Sequence, residues 1–311
     1  MIWKPKSKVS KDIVLVNTSD ITYSQISLLT GLISDFDPRV IGLDHMIPKL
    51  PEDYPLETID FNNLVLPCIL EPNIEHGVNQ KCSESISTNS IDHYGDVTIH
   101  SLSSFNPYFD DRDHILSFSS QLIRLYDSKL FETLMSRENS FEYINYVGNT
   151  RDFTTVLNIM ETSNEELDDL IKDKIVVVGY LGTKSFHPTD PNNEKSDVHY
   201  TPLGSMFGTA VLANILHTIL TNDYINQLNY ASNIALVILI SFAFIPIMKK
   251  IKFTYNGYFK VKIYIVLLIL FMAFLCHVCI TYFNFAINFQ FITIAFLVNC
   301  EVLFLSKYFL D

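Results

Sequence analysis

Residues 174–220 read KIVVVGYLGTKSFHPTDPNNEKSDVHYTPLGSMFGTAVLANILHTIL, and the folding of this stretch decides how the rest of the chain is arranged. From Ile175 to Gly179 the apolar residues run without alternation, the pattern of a strand buried on both faces. Gly179 and Gly182 end it. Further on, Val211, Leu212, Ile215, Leu216, Ile219 and Leu220 recur at helical spacing, while Asn214, His217, Thr218 and Thr221 line the opposite side. The expected order is therefore strand, long polar loop, amphipathic helix. The helix is expected to continue through Asn222–Asn229 into the first strongly apolar stretch of the chain. That places whatever the loop senses mechanically close to a membrane.

The strands upstream obey the same logic. Ile13–Val16 reads as a short buried strand, Tyr23–Ser34 as a helix with Ile26, Leu29 and Ile33 on one side, and Val40–Leu43 as the next strand after Pro38. A strand, a helix and a strand in this length imply a right-handed parallel crossover. Asn62–Ile69 is expected to be a third strand, and the polar, aperiodic run Glu71–Asp96 a long surface excursion to which no elements are assigned. Val97–Leu102 and Phe141–Val147 are further expected strands. Asp113–Tyr126 is read as a helix with Ile115, Phe118, Leu122 and Leu125 inward, and the acidic Glu161–Asp169 as a short helix. Alternation of this kind implies an α/β fold, a mostly parallel sheet with helices on its faces.

Composition separates this part from the end of the chain. Of 311 residues 48% are hydrophobic, and the excess sits after Tyr230. Ala231–Met248, Ile263–Phe283 and Phe285–Ser306 each approach the ~20 apolar residues that cross a bilayer as a helix, so three transmembrane helices are expected. The connection Lys249–Lys262 carries five lysines and no acid, which predicts a cytoplasmic loop, a domain outside the membrane and a cytoplasmic C-terminus. Met1–Lys11 is a basic segment without the apolar run of a signal peptide. The expected organisation is Met1–Lys11, an α/β domain over Asp12–Asn222, a linker over Asp223–Tyr230 and a membrane region over Ala231–Asp311. A formal net charge of −12 argues against nucleic acid as a partner.

Five cysteines do not make a disulfide framework. Cys276, Cys279 and Cys300 read as small packing residues in apolar spans. Cys68 and Cys82 are the pair able to bond if the domain faces an oxidising compartment.

The order DIVLVNTSD, DPRVIGLDHMIP, KIVVVGY, DVHYTPL and VLANIL ahead of apolar spans resembles the CHASE2 domain, a sensor-type module of bacterial signalling proteins. The resemblance covers most of residues 12–310 and none of its motifs is catalytic. It implies an extracytoplasmic sensory or ligand-binding subunit in the bacterial inner membrane. In the family such a domain usually comes after a membrane span and precedes a cytoplasmic kinase or cyclase. Nothing comes after Asp311 here, so the expected action is in trans, on a membrane-associated effector, with homo-oligomers possible. The alternative is a structural or assembly subunit of an envelope complex that uses the domain as a protein-binding surface.

In an open α/β sheet, ligands lie beyond the carboxyl ends of the strands. That places Asn17 and Asp20 after the first strand, Asp44 after the second and Tyr180 after the central one in a candidate ligand-binding set. The loop residues His187, Asp190, Asp197 and His199 complete it. Two aspartates and two histidines suit a metal or an amino ligand, but their spacing matches no standard metal pattern, so neither a metal nor another cofactor is assigned. A solvated loop that fixes the turn before Pro202 is the plainer reading of the same residues. GYLGTK lacks the spacing and ending of a phosphate loop. No catalytic residue and no enzyme activity are expected. His277 and Glu301 lie in apolar spans and are candidate transmembrane coupling residues, because charge in hydrocarbon persists only when paired or neutralised.

Overall fold

The computed structural model describes residues 8–19, 21–45, 63–73, 77–82, 93–96, 103–110, 115–182, 197–227, 231–236, 238–239, 242, 255–283 and 285–286. The chain divides into two compact units, one comprising Lys6–Tyr224 and the other Ile225–Asp311 with Met1–Pro5.

The first unit is α/β. Its strands are β1 (Ile13–Asn17), β2 (Val40–Asp44), β3 (Leu64–Asn73), β4 (Gly77–Cys82) and β5 (His93–Asp96). The short β6 (Ser104–Phe105), β7 (Tyr108–Asp110), β8 (Ile115–Leu116) and β9 (Glu142–Tyr143) come next, then β10 (Thr154–Val156), β11 (Ile175–Gly179), β12 (Val198–Thr201) and β13 (Gly204–Phe207). The helices are α1 (Tyr23–Ser34), α2 (Phe118–Tyr126), α3 (Ser128–Met135), α4 (Asn164–Ile171) and α5 (Gly208–Leu220).

The central sheet runs β10-β1-β11-β2-β3-β4, with β5 also paired to β3. Every pairing is parallel except β3 with β4. The first crossover therefore skips a place: β1 and β2 flank β11, in register Asn17↔Gly179↔Asp44 at their carboxyl ends. All five residues of β11 are buried, as its unbroken apolar run predicts. Side chains alternate between two cores. Ile13, Leu15, Val40, Ile175 and Val177 pack with α2 and α5, and Val14, Val16, Ile41, Leu43, Val176 and Val178 pack with α1 and α4.

Several expectations are corrected. Within the supposed excursion 71–96, β4 pairs antiparallel with β3, Cys68 standing opposite Cys82, and β5 extends the parallel sheet. Cys68 is buried and disulfide-bonded. The expected helix 113–126 begins only at Phe118, where Ser117 accepts the Ser120 N–H as its cap, while Ile115 and Leu116 pair with β7. Asp127 caps a further helix, α3, not foreseen from the sequence. The expected strand 97–102 falls outside the described residues.

The expected strand 141–147 shrinks to Glu142–Tyr143, for a reason that lies in α5. That helix is not half-exposed: Gly208 to Ile219 are all buried. Its polar side takes the place of a neighbouring strand. Asn214 Oδ1 accepts the Val147 and Gly148 N–H groups at 2.9 and 3.3 Å, its amide donates to Gly148 O at 2.9 Å, and Thr218 Oγ1 accepts the Asn145 N–H at 3.0 Å. His217 Nδ1 accepts the Ser10 N–H at 3.2 Å, tying the start of the domain to the same helix. Buried backbone groups need partners, and these side chains supply them.

Nor does α5 run on through 222–229. It stops at Leu220, where Asn222 takes φ 52°, Asn222 N–H bonds Ile219 O and Asp223 N–H bonds Thr218 O. This is a left-handed Schellman stop with Asn in the usual glycine place. The chain leaves through a second clamp, in which Asn145 donates to Asp223 and Tyr224 lies under the Arg137 guanidinium at 4.2 Å. Arg137 is itself paired with the buried Glu142.

In the second unit a 29-residue helix spans Tyr255–Phe283, so 255–262 of the expected loop are helical. Phe285–Ala286, the expected start of a third span, is instead extended and paired in parallel with Asn226–Gln227. By the described residues alone no helix is long and apolar enough to cross a membrane. Most of the expected spans 231–248 and 285–306 falls outside the described residues.

Replacing Asn214 by Ala orphans two buried donors and an acceptor at once. The expected cost is about 3 kcal/mol, several times that of a surface change, read by chemical denaturation of the full-length protein.

Candidate functional site

The carboxyl ends of β1, β11 and β2 lie side by side, and the residues leaving each strand play different parts. After β1, Asn17 turns back on the sheet: its amide donates to Ser19 Oγ and Gly182 O at 3.0 and 2.9 Å. Its carbonyl accepts the Ser19 and Leu181 N–H groups at 3.2 and 3.0 Å. All four hydrogen-bonding positions of this side chain are used inside the chain, so it acts as a clasp between two strand ends.

After β2, Asp44 faces α5. Thr209 Oγ1, in the first turn of that helix, donates to Asp44 Oδ2 at 2.7 Å. The close approach depends on Gly179 between them, since a Cβ there would collide with the Thr209 hydroxyl. Asp197 lies just beyond. Its backbone oxygen accepts the Gly208 N–H at 3.0 Å, and its carboxylate rests where a Cβ on Gly208 would have to stand. The position suits an acid, because α5 presents the positive end of its dipole and Phe207 supplies no side-chain cap. His199 Nε2 stands 3.1 Å from Asp197 Oδ1.

Two carboxylates thus converge on consecutive residues of one helix terminus. Burial, reinforced by the nearby Asp197, pushes the Asp44 pKa from 3.8 up to about 7, against the opposing influence of Thr209 and His199. Burial holds the neighbouring His45 below its ordinary value. Tyr180 is half-buried behind the pair, its ring edge-on to Phe207 at 5.5 Å.

Of the sequence-predicted set, the structure brings Asp44, Asp197 and His199 together, with Tyr180 adjacent. Asn17 is directed to the strand ends instead. Asp20, His187, Asp190 and Glu301 lie outside the described residues, and His277 is exposed on the Tyr255–Phe283 helix. Among the described residues no group of three or more His, Cys, Asp or Glu could hold a metal ion. Thr209, Gly179 and Gly208 were missed by sequence reasoning. Their signal is weak there, because a threonine and a glycine at a helix start are common and the partner is 165 residues away.

Thr209→Val removes the donor to Asp44 while keeping the shape. We expect a loss of about 1–3 kcal/mol above pH 7, where Asp44 is ionised, and a smaller loss below it, checked by denaturation at both ends of that range.

Two comparisons are empty: no curated protein and no solved structure matches the chain. The third is not. The family model described as CHASE2 domain matches residues 11–246, which include the whole α/β unit from β1 to Tyr224 and the cluster at the start of α5. CHASE2 is an extracellular sensory domain. The chain belongs to the CHASE2 domain family.

Proposed function

We propose that this protein is a membrane-anchored sensory subunit whose α/β unit lies outside the bacterial inner membrane and acts on an effector carried by another chain. One observation carries the reading: the family match does not stop at Tyr224 but continues to residue 246, so the sensory module includes its own exit segment. The α/β unit receives the signal at the carboxyl end of its sheet. Helix α5 relays it, because its first turn meets Asp44 and Asp197 and its last turn adjoins the Asp223–Tyr224 clamp.

Two features favour the compartment. A disulfide at Cys68 suits an oxidising environment. Ile263–Phe283 has no Asp, Glu, Lys or Arg, and Val266, Leu267, Leu270, Phe271 and Phe274 are more than half exposed within their unit, as lipid-facing side chains are. The lysines between 249 and 262 orient it with that end inside. The domain is a receiver rather than a catalyst.

Two measurements test this. Protease added to intact spheroplasts is expected to cut the α/β unit and spare a cytoplasmic control; an uncut domain beside a cleaved external control overturns the topology. Tagged at the C-terminus and extracted in mild detergent, the protein is expected to co-purify with a kinase, cyclase or similar effector. Recovery with envelope-assembly components alone would make it an assembly subunit instead.

A further inference from the structure

We propose that the groove at the amino ends of β1 and β10 binds the headgroup of an anionic phospholipid, with Lys8 and Lys11 as the cations that take its phosphate. The proposal rests on the membrane-anchored reading above and adds a lipid ligand to it. The groove has a volume of about 530 Å³, within the range of small-ligand sites. One wall is the segment 8–11 ahead of β1, and the other is formed by Val147, Asp152 and Thr154. Parallel pairing of β1 with β10, Val14 opposite Thr154, brings the two walls together. The groove thus lies at the other end of the strands from Asp44.

Its chemistry is that of a site for a charged, hydrated group. Val9 and Val147 supply the apolar side chains of the lining and the other residues are polar, whereas sites for apolar ligands are lined mostly by hydrophobic residues. Lys8 and Lys11 are exposed, and among the described residues neither is paired with an acid. Asp12, next to Lys11, is held instead by Lys174 at 3.0 Å and by the Ser10 hydroxyl at 3.4 Å. Asp152, the acid of the lining, accepts the Asn149 N–H at 2.9 Å. A phosphodiester supplies the anion that the two ammonium groups lack, and the hydroxyls of a glycerol head are donors that a carboxylate wall accepts.

The surrounding chain favours a lipid as the source of that phosphate. Lys8 and Lys11 close the run MIWKPKSKVSK, which has four lysines and no acid; the remaining 300 residues carry a net charge of −16, against −12 for the whole. An acidic chain is repelled by an anionic surface except at such a run. Lysines beside a tryptophan, here Trp3, are the residues of a membrane interface. Pro5 belongs to the unit that holds the apolar segments, and Lys8 is three residues further on, so the covalent chain keeps it within about 10 Å of Pro5. Ser10, between the two lysines, donates its N–H to His217 in the last turn of α5. An occupied groove is therefore tied to the helix that relays the signal.

Hydrogen–deuterium exchange of the full-length protein in phosphatidylcholine nanodiscs with rising fractions of phosphatidylglycerol tests this. Amides of residues 8–11 and 147–154 are expected to slow as phosphatidylglycerol enters. The slowing is expected to fade at about 1 M salt, where the screening length is about 3 Å. Lys8→Gln or Lys11→Gln is expected to raise the fraction of phosphatidylglycerol required about fivefold, the contribution of one lysine near an anionic surface. The double Gln variant is expected to lose the slowing, and Lys8→Arg with Lys11→Arg to keep it. Exchange that is the same with and without phosphatidylglycerol, or slowing that survives the double Gln variant, overturns the site. So does equal slowing by inorganic phosphate or glycerol phosphate in phosphatidylcholine nanodiscs, which would assign the groove to a soluble anion. The membrane reading fails differently: protein that enters nanodiscs of neither composition loses its anchor and this proposal with it, whereas an embedded protein with an unslowed groove loses this proposal alone.

Discussion

Asn214 is the residue on which the arrangement of the α/β unit most depends. One amide side chain, buried on a fully enclosed helix, satisfies two backbone N–H groups and one carbonyl of the 145–148 segment. Thr218 adds a third donor's partner one turn later. The helix is thereby bound to the sheet by its apolar face and to the 145–148 segment by its polar one. Neither attachment can shift without leaving buried polar groups unpaired, which makes α5 a stiff rod between the strand ends and the chain's exit.

Asp44, Asp197 and His199 would be an unremarkable solvated group on a loose loop. At the first turn of α5 Asp44 and His199 are half-buried and Asp197 is about half exposed, and the helix ends in a Schellman stop succeeded by the clamps at Asp223 and Tyr224.

The opposite edge of the sheet is built on other terms. It is closed by β4, antiparallel to β3 and set within the long polar run of the domain, with Cys82 in register opposite the disulfide-bonded Cys68. A disulfide stabilises mainly by restricting the unfolded chain.

By itself the sequence determined the class of fold, the position of β1, α1, β2 and β11 to within a residue or two, the existence of α5 though not its end, and the shortlist that contains Asp44, Asp197 and His199. These are local matters: apolar runs, helical periodicity and the rule that strand ends bear ligands need no knowledge of distant partners. Only the tertiary structure decided that β11 lies between β1 and β2, that β4 and β5 form inside a polar run, and that the polar side of α5 faces inward. Only it joined Thr209 to Asp44 and turned Asn17 away from the site. Each of these outcomes is a contact between residues distant in the chain or a hydrogen bond whose partner is backbone, and backbone has no sequence signature. A polar stripe on a helix reads the same whether water or a buried carbonyl satisfies it, and the difference lies in what the rest of the chain packs against it.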